Sequence, residues 1–186
     1  MPTATEILRH EHDAILKMIS ATEEVARRLD RGERVRPEIL GNLLEFFRLF
    51  ADRCHHGKEE ALLFPLLESK GLPRQGGPIG VMLLEHDEGR GFIKQMVEAA
   101  EAYKTVPESA GPRWAEPARN YSALLRAHID KENNILFRIA EQILTPDEQA
   151  RLAEDFEKVE VEKMGAGTHE RLHAMMDQLL TEVFPQ

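Results

Sequence analysis

Four long stretches of this chain carry apolar residues at alternating spacings of three and four, and a histidine interrupts each of the four rows. Such spacing puts the marked residues on one face of an α-helix, the face that packs against a core. The first row is Leu8, His12, Ile15, Ile19, Thr22, Ala26 and Leu29, and the second is Phe46, Leu49, Arg53, His56, Glu60, Leu63 and Leu67. Along the third lie Ile79, Met82, His86, Gly89 or Arg90, Ile93 and Val97; the fourth is Tyr121, Leu125, His128, Glu132, Ile135 and Ile139. Helices that must each bury one stripe, joined by short loops, form an all-α, up-down-up-down four-helix bundle.

Breakers set the boundaries. "TATE" reads as a capping box that opens a helix running to Leu29, before "DRGERVRP". The second helix starts near Pro37 and runs to about Ser69, with Gly71 as its stop; "GLPRQGGP" is a loop, and the third helix covers Ile79 to Tyr103. "KTVPESAGP" reads as the next loop, so the fourth helix begins near Pro112, accepts Pro117 only in its first turn, and ends near Leu144. "TPDE" caps a fifth helix over 146–163, and "GAG" at 165–167 separates it from a sixth that reaches about Val183. The expected organisation is a bundle over 1–144 with a C-terminal helical extension, 145–186, packed on it.

Axial position brings the histidines together. In an antiparallel hairpin, residues equally far from the connecting loop face each other. His12 lies about 17 residues before the end of its helix and His56 about 19 after the start of the next; the other pairings agree equally well, and two residues of mismatch are roughly 3 Å. His12, His56, His86 and His128 therefore converge at one height, with Glu60 and Glu132 one turn on. The neighbouring pair His55 and Glu59 falls on the row Arg48, Asp52, His55, Glu59, Leu62, Leu66, which is more polar at its start, so it is expected on the flank. A bundle stripe is wide enough to admit such a neighbour, and His55 and Glu59 stay open as additional ligands.

Buried ionisable groups without partners cost several kcal/mol each. Either these six satisfy one another as an ion-pair network, or metal ions supply the missing positive charge. Imidazoles and ionised carboxylates suit a first-row metal, and two bridging carboxylates suit a pair of irons. The expected ligands are His12, His56, Glu60, His86, His128 and Glu132.

These pieces, "EHD" around His12, "HGKEEALLFP", "LEHDEGR" and "HIDKENNILF", resemble the hemerythrin-like (HHE cation-binding) family, across residues 5 to about 143. The resemblance implies a non-haem di-iron centre (Fe2+/Fe3+) bridged by Glu60 and Glu132 and by an oxo or hydroxo group. Ferritin-type bundles use Glu-x-x-His instead. The invertebrate oxygen carriers of the family have a histidine where Met82 stands, and their fourth helix places an aspartate five residues after its histidine, where this chain has Glu132 four after His128. The chain thus resembles the bacterial branch, with its iron-sensing and iron-repair members, more than the oxygen carriers. Two readings stand for the pair His169 and His173: surface histidines on an amphipathic helix that packs Leu172, Met175, Met176 and Leu179 on the bundle, or an insertion in which His169, ahead of His173, fills the position of the missing ligand, with Gly165 and Gly167 giving the close turn.

The expected function is binding of, or reaction with, dioxygen, nitric oxide or peroxide in sensing, scavenging or iron handling. The alternative is a helical interaction module with a structural metal. A formal charge of −9 and the absence of a basic patch exclude a nucleic-acid partner. No apolar run approaches the roughly 18 residues a membrane span needs, and nothing at the N-terminus reads as a secretory signal. A single cysteine, Cys54, forms no internal disulfide, so a reducing cytoplasm is the expected location. Cys54 is expected to be a small buried residue, Arg90 to pair with a flanking carboxylate or line an access route, and His10 and Lys58 to face solvent.

Overall fold

Thr3 caps the first helix. Its hydroxyl accepts from the Glu6 N–H and the Glu6 carboxylate accepts from the Thr3 N–H at 2.7 Å, so two orphan donors are satisfied reciprocally. The computed structural model describes residues 2–165 and 167–185; Ala166, in the "GAG" break, lies outside them. Helix α1 is Ala4–Asp30, α2 is an unbroken run over 37–69, α3 is Pro78–Tyr103, α4 is unbroken over 107–143, α5 is Pro146–Met164 and α6 is Thr168–Val183. Helices α2 to α5 each begin on a proline, whose missing N–H is one that a helix start leaves unpaired anyway. Gly165 and Gly167 have φ of 82° and 80° in the turn between α5 and α6, a region costly for other residues. No strand occurs among the described residues.

The first four helices form the bundle, with α1 and α3 both against α4, and α2 against α1 and α3. Helices α5 and α6 pack on α1 and α2. Helix α4 starts at Pro107, not near Pro112, and carries both Pro112 and Pro117 inside it. Each interior proline removes one backbone bond. Close packing offsets the loss: Trp114, Ala115, Pro117 and Ala118 are buried, and a Cβ on Gly111 would lie 3.4 Å from Leu29.

Three stretches depart from α geometry: Phe47–His56 and Glu59–Leu63 in α2, and Glu132–Leu136 in α4. The Phe64 N–H donates to the Glu59 carbonyl and the Phe137 N–H to that of Glu132, each five residues back. A π-turn holds an extra residue, so the stripe that follows it slips by about one position. Ile135, expected in the core, is 51% exposed, and Leu136 and Phe137 are buried instead. In α2 the buried residues include Phe47, Phe50, Cys54, His55, His56 and Glu59, while Arg53 is exposed.

The core is two apolar clusters. One is built around Ile15, Phe46, Phe50, Met96, Trp114 and Leu125, the other around Leu8, Leu63, Phe64, Met82, Leu136 and Phe137. On α1, α2 and α3 the buried histidines fall between the residues of one cluster and those of the other, and on α4 His128 and Glu132 flank Ile129, the last residue of the first cluster, so the polar side chains form a layer with apolar packing on both sides. The slipped register can be measured by denaturant unfolding: Leu136→Ala is expected to cost about 2–5 kcal/mol as a buried truncation, and Ile135→Ala, on the surface, no more than about 0.5.

Candidate metal centre

Five histidines and two glutamates are buried in this layer: His12 from α1, His55, His56 and Glu59 from α2, His86 from α3, and His128 and Glu132 from α4. Their donor atoms make two groups, His12, His55, Glu59 and Glu132 in one, and His56, Glu59, His86 and His128 in the other, with all atoms of a group within 4.8 Å of one another. Glu59 turns Oε1 to His55 Nε2 at 3.6 Å and Oε2 to His86 Nε2 at 3.5 Å. Glu132 turns Oε2 to His12 Nε2 at 3.2 Å and Oε1 to His128 Nε2 at 3.3 Å. Each carboxylate thus offers one oxygen to either side.

The outer nitrogens face a ring of acceptors. Nδ1–H of His12 donates to Asn133 Oδ1 at 2.9 Å, that of His55 to Glu11 at 2.8 Å, that of His86 to Glu60 at 2.7 Å and that of His128 to Glu85 at 2.8 Å. His56 Nδ1 lies 3.5 Å from Asp52. A cation holds each acceptor in turn: Arg9 binds Asn133, Lys58 binds Glu11, Arg90 binds both Asp52 and Glu60, and Lys131 binds Glu85. An acceptor at Nδ1 fixes the tautomer with a bare Nε2 pointing inward, the arrangement typical of metal-bound histidines. The rings are steadied by apolar neighbours, His12 stacking on Phe137 and His86 on Phe64.

The inner atoms lack partners. Both oxygens of Glu59, both of Glu132, and Nε2 of His12 and of His55 are buried without a hydrogen bond. The Nε2 atoms of His86 and His128 are 3.2 Å apart, within hydrogen-bond reach of each other. Burial first, then the charge of Glu132, pushes the Glu59 carboxyl well above the usual range. Burial acts on Glu132 in the same sense, but the charge of His128 and the nearby His12 ring hold it well below. Desolvation also opposes charge on His128, yet Glu132 and Glu85 raise its pKa to about 9. Converging lone pairs on two carboxylates and bare imidazoles are a donor set for first-row metal cations, so the residues present fit such a group.

Of the residues expected from the sequence, the structure brings His12, His56, His86, His128 and Glu132 into the layer. It does not bring in Glu60, whose side chain is 29% exposed and bonded to His86 Nδ1 and Arg90. The π-turns of α2 are the reason: they slip the register so that Glu59, and His55 with His56, face inward. A signal for this is in the sequence. His55, Glu59 and Phe64 repeat the spacing of His128, Glu132 and Phe137, four residues and then five, whereas Glu60 lies only four before Phe64. Neither does the layer contain His169. That ring packs 5.4 Å from Phe50 and 4.6 Å from His173, and it gathers with Glu160 and Glu11, one layer outside His55. Lys58 is fully buried, not solvent-facing, because it bridges Glu11 to Glu160 of α5. Cys54 is buried, with its thiol pushed up to about 12 by desolvation. Arg90 takes both expected roles, pairing with carboxylates and lining a cavity. No described helix is long and apolar enough to cross a membrane.

A family model described as the hemerythrin HHE cation binding domain matches residues 3–140. The chain is similar to an uncharacterized protein of Mycobacterium tuberculosis, 24% identical over 163 residues, which are 88% of this chain and 63% of that protein. It is also similar to the iron-sulfur cluster repair protein YtfE of Salmonella schwarzengrund, 30% identical over 118 residues (60% of this chain, 53% of the other). The YtfE of Escherichia coli is 29% identical over 137 residues (70% and 61%). The chain spans less than two thirds of the length of these relatives.

The charge pattern predicts acid lability in chelator-treated protein. Burial raises the Glu11 carboxyl, but His55 and Lys58 outweigh it and hold the group at about 2, against an ordinary 4.5. Burial lowers His55 to about 4 from 6.5, against the pull of Glu11. Both are depressed on folding, so the unfolded chain takes up protons first and stability is lost as pH falls from about 6.5 towards 2. His128 works in the opposite sense, its contribution being full below 6.5 and lost as pH rises through 9. Urea midpoints measured from pH 8 to 4 are expected to fall on the acid side, and to fall less between 6.5 and 4 in His55→Gln.

Proposed function

Because the chain belongs to the hemerythrin HHE cation binding family, we propose that its buried layer holds two non-haem iron ions. His12 and His55 would hold one, His56, His86 and His128 would hold the other, and Glu59 and Glu132 would each offer one oxygen to either side. The observation that supports this reading is the division of each carboxylate, one oxygen to each group of histidines, with no hydrogen bond to any of the four oxygens. His55 is then the fifth histidine, and the set needs nothing from His169.

Bound there, an iron pair supplies Lewis-acidic and redox chemistry toward dioxygen, nitric oxide or peroxide. The chain's own residues prepare the site for it. The acceptors at Nδ1 of His12, His55, His86 and His128 orient those rings with Nε2 inward, and their partner cations keep those acceptors from moving. The two apolar clusters exclude bulk water from the carboxylates. A small ligand reaches the layer from the cavity that His56 and His86 line. The function is sensing, scavenging or iron handling through this small-ligand chemistry, and the cluster repair named for the YtfE relatives is an iron-handling role of the same class.

Metal analysis and optical spectra test the assignment. Glu59→Ala and Glu132→Ala are each expected to lose most of the iron, because a bridge is gone. Glu60→Ala is expected to keep both ions with a shifted near-ultraviolet band, since it removes only the acceptor behind His86. Two irons per chain and an unaltered spectrum in Glu59→Ala would refute the bridge. Iron removal is expected to lower the melting temperature by mass action. A purely structural metal would instead leave a spectrum indifferent to azide and dioxygen.

A further inference from the structure

Outside the buried layer, Glu11 of α1, Glu160 of α5 and His169 of α6 each offer one donor atom, and the three atoms lie within 4.8 Å of one another. The three residues line a cavity of about 420 Å³ together with His10, Phe50 and His173. His173 stands one turn after His169 on α6, with the two ring centroids 4.6 Å apart. Among the described residues, no hydrogen bond or ion pair takes up a ring nitrogen of His10, His169 or His173. The iron-pair reading leaves all three of these rings unused.

The charges around the cluster do not cancel. Lys58 donates to both Glu11 and Glu160, and the Nδ1–H of His55 donates to the other oxygen of Glu11 at 2.8 Å. Glu6 also lines the cavity, its carboxylate held by the Thr3 N–H and hydroxyl. Among the groups that line the cavity or bond to one that does, three carboxylates thus face one ammonium. A further cation, Lys163, has its Nζ 3.6 Å from where a Cβ on Gly57 would stand. Counting it leaves three carboxylates against two ammoniums, still an excess of one negative charge, and Asp177, a turn beyond His173, only deepens it. Each carboxylate oxygen has two lone pairs, so the bonds from Lys58 leave room for an ion. Ligand atoms that surround a first-row metal at about 2.0–2.2 Å lie roughly 3–4 Å from one another. Glu160, His169 and His173 are half-buried, so small side-chain rotations can close the cluster that far.

We propose that Glu11, Glu160 and His169, completed by His173, form a separate site for one divalent first-row cation. Imidazoles with carboxylates suit such an ion, whereas Mg2+ prefers oxygen ligands alone. The site draws on no member of the buried layer, and it shares with the layer's surroundings only Glu11, the acceptor behind His55. Its ligands come from α1, α5 and α6, so a bound ion ties the C-terminal extension to the bundle.

Calorimetric titration of iron-loaded protein with Zn2+, followed by metal analysis of the same samples, tests the site. Wild type is expected to bind one zinc per chain more than His169→Gln does, with equal iron in the two. Glu160→Gln and His173→Gln are each expected to weaken that zinc by at least about tenfold, since even a residue behind a ligand is worth roughly that much. All three substitutions fall at half-buried positions outside the apolar clusters. Zn2+ is expected to raise the melting temperature of wild type and not of His169→Gln, and Mg2+ to raise neither. Equal zinc stoichiometry and affinity in wild type, His169→Gln and Glu160→Gln would overturn the site, as would Mg2+ binding as tightly as Zn2+. Glu59→Ala, expected above to lose the layer's iron, is expected to keep the zinc that depends on His169. Zinc lost in Glu59→Ala and kept in His169→Gln would put the ion in the layer and overturn the proposal. Zinc binding as described in a protein that takes up no iron would sink the iron assignment and leave this site standing.

Discussion

Glu59 and Glu132 cannot share a dry layer without positive charge between them. Burial, and then the charge of Glu132, drives Glu59 well out of the carboxylate range, and none of the four oxygens meets a donor. Apolar packing on both sides keeps water from relieving them. An uncompensated buried charge costs several kcal/mol, far more than most single packing contacts return. The rest of the bundle is arranged around that demand: a histidine from every helix points a bare nitrogen at the same small volume, where only a proton or a metal cation can satisfy it.

The surrounding shells show how the arrangement is kept. Behind each inner histidine stands an oxygen acceptor, and behind each acceptor a cation, from His12 through Asn133 to Arg9 and from His128 through Glu85 to Lys131. These chains of contacts cross between helices, so they hold the four helices in register as well as orienting the rings. Arg90 serves two of them at once through Asp52 and Glu60. The extension enters at the same level, since Glu160 of α5 closes on Lys58 behind Glu11 and His55. Residues outside the family match thus reach the layer through three contacts without entering it.

The two faces of α2 have different tasks. One is covered by α5 and α6 and carries the chain from His55 outward to Lys58 and Glu160. The other, toward α3, leaves a cavity that ends on His56 and His86. Two adjacent histidines, His55 and His56, both face the bundle interior from a stretch of α2 wound more widely than an α-helix.

By itself the sequence determined the helical count, the bundle, the capping of α1 and α5, and the convergence of His12, His56, His86 and His128, because these follow from periodicity, breakers and distance from a loop. Those are local or one-dimensional quantities. Which carboxylate of the Glu59–Glu60 pair turned inward, whether Ile135 or Leu136 entered the core, and whether Lys58 met solvent were decided only by the tertiary structure. A π-turn is stable where packing and the buried polar layer favour it, and no residue type announces it, so a count at 3.6 residues per turn misplaces the inward position by one residue. The start of α4 has the same origin, since Pro112 and Pro117 read as breakers until the packing of Trp114 and Gly111 offsets their lost backbone bonds. The place of His169 was likewise tertiary: its spacing from His173 put two rings on one face of α6, but only the docking of α6 on Phe50 set how far from the layer that face stands.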